Sequence, residues 1–242
     1  MLNLRAERMK LAGPHQKPEK RRLMHSLFVP VTLVVLMFLV HLLSWLEDWD
    51  LVFLGVKPLS LEGLPGILLS PFIHGSWEHL GNNISSLFVL GVALFYFYRE
   101  IAYRVFPLIY LLAGIWLWFG GREVWHIGAS GLVYGLASFL FVSGIIRRHI
   151  PLMALALIVV FWYGSLVWGM FPLAPRLPHS WEGHLWGFVA GLAAAVVFRK
   201  EGPQKPPSPF AEEQEEEVEE AEAFWKLPAD DKTTKDKNEN EL

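Results

Sequence analysis

Long apolar runs alternate with short polar connections over the first 200 residues. Six runs, 27–46, 79–98, 105–120, 127–144, 151–171 and 181–198, reach or approach the length of about 20 apolar residues that a helix needs to cross a bilayer. They predict six transmembrane helices, the third being the shortest. Pro30, Pro107 and Pro151 fall near run starts, where a missing backbone donor costs little. The first connection, 47–73, is apolar too, but Gly55, Pro58, Gly63, Pro65 and Gly66 interrupt it. It reads as a loop partly sunk in the membrane, with its backbone polar groups buried in protein.

Composition strengthens the membrane reading. The chain is 53% hydrophobic and 14% aromatic, with a mean hydropathy of +0.33, above an ordinary soluble domain. The absence of cysteine excludes disulfides, thiolate catalysis and thiolate metal sites. Charge then orients the spans. Arg5, Arg8, Lys10, Lys17, Lys20, Arg21 and Arg22 precede the first run. Arg99 with Arg104, Arg147 with Arg148, and Arg199 with Lys200 follow on the same side. The other three connections hold only Lys57, Arg122 and Arg176. Positive residues collect in the cytoplasm, so both termini are expected there. The first run is too long for a signal-peptide core and lacks a following A-x-A-like site, so it is expected to stay.

Three regions follow: a basic cytoplasmic segment over 1–26, a six-span domain over 27–200, and an acidic tail over 201–242. The tail's Pro-rich start and its glutamate run at 212–222 lack apolar surface, so a disordered cytoplasmic segment is expected. Phe224-Trp225 is its only docking candidate. The compact six-span core suggests a bacterial inner membrane. Neither nucleic acid nor a cofactor is expected as a partner, and the oligomeric state is left open.

Candidate chemistry gathers at one depth. Spans two, four and six all start on the outer side, and their first turns carry His79 and Asn83, Ser130, and His184. At about 1.5 Å per residue, Ser130 and His184 lie within roughly 5–8 Å of their span openings. Polar groups in a membrane are costly and are functional candidates by default. Gly131, Gly135 and Ser138 form one small-residue stripe; His184, Gly187, Gly191 and Ala195 form another. Such faces let membrane helices approach closely, as a short Ser side chain needs in order to reach a histidine.

The arrangement suits nucleophilic acyl transfer. His184 would take the Ser130 hydroxyl proton while Oγ attacks a peptide carbonyl. The Ser130 backbone N–H, Asn83 and His79 would receive the oxyanion. No carboxylate is well placed to orient His184, whereas Tyr134, one turn beyond Ser130, can pack on the imidazole. Each residue also has a plain structural reading: Ser130 as a packing residue, His184 as an interfacial histidine, Asn83 and His79 as cross-helix hydrogen bonders, and Tyr134 as a packing aromatic. His74 reads as structural, and His41 shows no evident partner. A metal or haem site is the rival from another class, since His74, Glu78, His79, His126, Glu182 and His184 all lie toward the outer face. Their spacing matches neither H-E-x-x-H nor H-x-x-E-H.

His74-x4-His79-Leu80-x2-Asn83, Gly128-x-Ser130-Gly131 with Tyr134, and His184-x2-Gly187-x3-Gly191 together resemble the motif set of rhomboid intramembrane serine proteases. The resemblance covers about residues 27–200 and implies a six-helix, all-α membrane bundle. It implies a Ser130–His184 dyad without a third acid, and an oxyanion site of the Ser130 N–H, His79 and Asn83, with Gly128 in support. It further implies single-span membrane proteins as substrates, cut near the outer face after a small residue, and span five as the place of lateral access. Some relatives lack the dyad and act as binders of membrane helices. Many members carry Trp-Arg where this chain has Pro65-Gly66.

Overall fold

The computed structural model describes residues 16–172 and 180–207. Six main helices follow in order: α1 Gln16–Leu46, α2 Trp77–Phe97, α3 Ala102–Gly120, α4 Ser130–Arg147, α5 Ile150–Tyr163 and α6 Trp181–Val197. Among the described residues, five helical segments are long and apolar enough to cross a membrane; α6, with 17 residues, is apolar but shorter. The chain is a multi-pass integral membrane protein with an all-helical bundle.

Most of α4 is buried, while α1 and the α5 segment keep most of their surface outside the protein. That contrast makes α4 the central helix and leaves apolar side chains such as Leu157, Phe161 and Trp162 facing outward. α6 packs chiefly along α4, and the two small-residue stripes interlock. A Cβ on Gly131 would lie 3.0 Å from the Gly183 carbonyl oxygen, and one on Gly135 would lie 3.0 Å from that of Gly187. A Cβ on Gly187 would strike the Gly131 carbonyl, and one on Gly191 would strike Ser138 Oγ and the Gly135 carbonyl. Ser138 Oγ donates to the Phe188 carbonyl at 2.9 Å across this seam. The close approach expected from the glycines is present.

Several boundaries differ from the hydropathy pattern, three of them with structural consequences. α1 begins at Gln16, so part of the basic N-terminal segment is helical and Pro30 lies inside the helix. Hydropathy measures apolar length, whereas Lys20, Arg21 and Arg22 are good helix formers. Arg22 then reaches the last turn of α2, donating to the Tyr96 carbonyl from Nε (3.0 Å) and Nη2 (2.7 Å). That carbonyl belongs to a helix end short of backbone donors. α3 begins at Ala102, which places Pro107 inside it and gives it 19 residues. The fifth run is not one α-helix: α5 stops at Tyr163 and continues as a 3-10 segment, Gly164–Met170.

The first connection folds into short turns, Val52–Leu54, Leu61–Gly63, Gly66–Leu69 and Ser70–Phe72. Val56 and His126 exchange backbone hydrogen bonds as an isolated antiparallel bridge. Trp118 Nε1 donates to the Ser60 carbonyl at 2.9 Å, and Tyr110 Oη to that of Leu68. At Pro65-Gly66, Gly66 packs against the Gly55 carbonyl with no room for a side chain. Backbone contact thus holds this loop at that point.

Residues 201–205 pack with the helical unit. The expected tail from 208 onward, Phe224-Trp225 included, lies outside the described residues, as do residues 1–15.

Candidate active site

The approach to α4 sets the serine. Gly128 adopts φ +101, a conformation that favours glycine. Its N–H donates to the Ser70 carbonyl at 2.9 Å. A Cβ there would lie 2.7 Å from the His79 ring and 3.4 Å from Asn83 Nδ2, so backbone and space both require glycine. Ala129 caps the helix, and Ser130 is its first residue rather than one turn in. Amides at a helix start have no intrahelical acceptor, which leaves the Ser130 N–H available to an incoming oxygen.

The histidine comes from the first turn of α6. Ser180 Oγ caps that helix by accepting from the Gly183 N–H at 3.0 Å. His184 Nε2 stands 2.9 Å from Ser130 Oγ, and Nδ1 stands 2.9 Å from the Gly169 carbonyl oxygen. A carbonyl only accepts, so Nδ1 carries the proton and the Nε2 lone pair faces the serine hydroxyl. Tyr134 lies flat on the imidazole, with centroids 4.3 Å apart and planes 6° from parallel. The partner that orients the ring is therefore a backbone carbonyl of the 3-10 segment after α5. A Cβ on Gly169 would strike Tyr134 Oη and come within 3.2 Å of His184 Nδ1.

Asn83 and His79 project from the start of α2, where Ser76 Oγ caps the helix by accepting from the His79 N–H at 3.1 Å. Asn83 is buried, and its Nδ2 has no hydrogen-bond partner among the described residues. Such a group normally finds a partner. The His79 ring packs edge-on against His74, with centroids 4.9 Å apart. Burial, and then the neighbouring His79, push the His74 imidazole down to about 3. His74 is thus a neutral packing partner of His79. His41 has a ring partner after all, meeting Trp77 edge-on at 4.5 Å.

A cavity of about 40 Å³ adjoins Ser130, with Ser70, His126, Gly128, Ser180 and Gly183 in its walls. Two residues of the metal alternative, Glu182 and His126, are engaged with other partners. Arg122 forks buried Glu182, with Nη2 3.2 Å from Oε2 and Nε bonded to Oε1. His126 bonds Ser180 and the Arg122 carbonyl. Among the described residues, no group of three or more His, Asp or Glu gathers as a metal cage.

A family model of the Rhomboid domain matches residues 62–201, which include every site residue just described. The chain belongs to the rhomboid family. Relatives of this rhomboid include uncharacterized proteins of Mycobacterium tuberculosis and Mycobacterium bovis. Each is 35% identical over 174 residues, covering 69% of this chain and 72% of its own length. One from Mycobacterium leprae is 34% identical over 183 residues, covering 69% of both chains.

Motif reading missed two features of this rhomboid site. The Gly169 carbonyl has no sequence signature, since every residue carries one. The Arg122–Glu182 pair did have a signal: each is a charge in a span start or connection that is otherwise nearly free of its type.

Proposed function

We propose that this rhomboid is an intramembrane serine endopeptidase acting through Ser130 and His184. The observation that carries the reading is the 2.9 Å contact between His184 Nε2 and Ser130 Oγ, with the imidazole oriented from its other nitrogen by Gly169. His184 removes the Ser130 proton as Oγ attacks the scissile carbonyl carbon. The resulting oxyanion meets the Ser130 N–H, the His79 ring and the Asn83 Nδ2, which has no hydrogen-bond partner among the described residues. The imidazolium returns its proton to the leaving amine nitrogen, the C–N bond breaks, and an acyl-enzyme remains. Water, deprotonated by His184, hydrolyses that ester and restores the serine. Tyr134 keeps the imidazole plane fixed throughout by stacking. No step uses a cofactor.

Substrates on this reading are single-span membrane proteins cut near the outer face. Both termini face the cytoplasm, as the lysine and arginine distribution indicates, and a bacterial inner membrane fits the mycobacterial relatives. Residues 27–200 form the protease domain, between the basic segment and the acidic tail.

A fluorophosphonate probe tests the chemistry without knowledge of the natural substrate. Wild-type protein is expected to be labelled, and Ser130→Ala and His184→Ala to be unlabelled and unable to cleave a single-span reporter in liposomes. Equal labelling of Ser130→Ala, or cleavage by either variant at the wild-type rate, would falsify the assignment. A folded wild type that neither reacts nor cleaves, yet retains the reporter helix, would instead indicate a binding protein.

A further inference from the structure

The two residues of the proposed dyad stand at the starts of two different helices, and one further residue ties both starts to a third segment. We propose that His126 is a positioning residue that sets the Ser130–His184 spacing. The proposal rests on the protease reading above.

His126 is buried, and it is held on three sides. Its backbone is locked to the first connection: Val56 N–H donates to the His126 carbonyl at 2.9 Å, and His126 N–H to the Val56 carbonyl at 2.8 Å. Its Nε2 lies 3.0 Å from the Arg122 carbonyl oxygen, which only accepts, so Nε2 carries the proton. Its Nδ1 is then an acceptor and takes the Ser180 hydroxyl hydrogen at 2.7 Å. Ser180 Oγ in turn accepts the Gly183 N–H, and the Ser180 carbonyl accepts the His184 N–H at 3.2 Å. One relay therefore runs from the Arg122 carbonyl through the His126 ring to the helix start that carries His184. In the other direction, only residues 127–129 separate His126 from Ser130, and Gly128 among them is anchored to Ser70.

Every bond in the relay has one polarity. Protonation of Nδ1 would replace an acceptor with a donor, and Ser180 would have to turn its hydrogen away while still receiving the Gly183 N–H. The charged groups facing the ring are the Arg122 guanidinium and the Glu182 carboxylate, joined to each other. Burial, the largest influence, holds His126 below the ordinary imidazole range. The Arg122 carbonyl and then Glu182 act against it, and the Arg122 charge acts with it. A lowered imidazole keeps its neutral relay at neutral pH and loses it only as pH falls through its lowered folded value.

The test uses the full-length protein in liposomes, measuring fluorophosphonate labelling and reporter cleavage from about pH 5 to pH 8. His126→Ala is expected to slow labelling and lower kcat by roughly 10–100-fold with KM little changed, since small misplacement of reacting groups has effects of that size. His126→Asn keeps an acceptor for Ser180 and does not titrate. It is expected to recover most of the neutral-pH rate and to change the acid limb. As pH falls, wild-type kcat/KM should drop more steeply than that of His126→Asn, which has no titrating group in the relay. Wild-type labelling rates in His126→Ala, or the same acid slope in wild type and His126→Asn, overturn the proposal. If His126→Ala does not fold, the Asn variant decides alone. An unlabelled, inactive wild type sinks the protease reading first and this proposal with it, a result distinct from an active wild type whose variants match it.

Discussion

A buried polar side chain lies near each end of the α4–α6 pair, Arg147 at one and Asn83 of α2 at the other, and the two are used in opposite ways. At one end Arg147 is 4% exposed and fully engaged. Its Nε donates to Ser143 Oγ at 2.9 Å, and Nη2 to the Phe198 carbonyl at 2.7 Å. Its Nη1 donates to the Glu201 and Pro203 carbonyls at 2.6 and 3.0 Å. The guanidinium also sits over the Tyr98 ring at 5.4 Å. At the other end Asn83 is equally buried, with a donor nitrogen that has no hydrogen-bond partner among the described residues. A satisfied buried group holds elements together. An unsatisfied one persists where the fold tolerates its penalty, and a binding or reacting partner is the natural reason.

Substitutions can break this contrast. The largest effect is expected from Gly187→Leu, which drives a side chain into the Gly131 carbonyl and separates α4 from α6 along their whole length. Loss of both a monodisperse species in detergent and probe labelling is the expected outcome. Asn83→Ala should lower kcat by about 10²–10³-fold, the usual effect of losing one oxyanion donor. Its thermal midpoint should stay level or rise, because a buried unpaired amide is removed. A falling midpoint with unchanged kcat would make Asn83 structural and erase the contrast. Arg147→Ala should do the reverse, destabilising by about 3 kcal/mol as four acceptors lose their donor. Cleavage below the transition should stay within a few-fold, read by thermal denaturation beside reporter turnover. The smallest effect separates two truncations. Ending the chain after Lys205 should leave the midpoint unchanged. Ending it after Lys200 removes Glu201 and Pro203 from Arg147, and Glu201 from its 2.6 Å pair with Arg104, and should lower the midpoint by a few degrees.

What the sequence made legible was whatever depends on depth and on side-chain type. Alternating apolar runs gave the helices. Lys and Arg bias gave a common level for Asn83, Ser130 and His184, and the structure brings Ser130 and His184 into hydrogen-bond contact there. Gly131, Gly135, Gly187 and Gly191 announced the seam, because a small residue every third or fourth position has few other uses in an apolar helix. Backbone groups were not legible. The break of α5 at Gly164 lies in a run whose hydropathy is continuous, and the carbonyl of Gly169 is invisible to any reading of side chains. His126 was weighed only as a metal ligand, since its partners Ser180 and Arg122 are distant in sequence and unremarkable alone.

The Gly169 carbonyl has one more consequence. A carboxylate in its place would put a net negative charge beside the serine, and burying an ion without a counter-ion costs several kcal/mol. A peptide dipole orients the imidazole with no net charge of its own. Nearby, Arg122 and Glu182 cancel each other. The group that orients His184 therefore adds no net charge to the centre. The transmembrane voltage acts on each displaced unit charge with about 2.3 kcal/mol per 100 mV, and a backbone carbonyl at this position gives it no such charge to pull on.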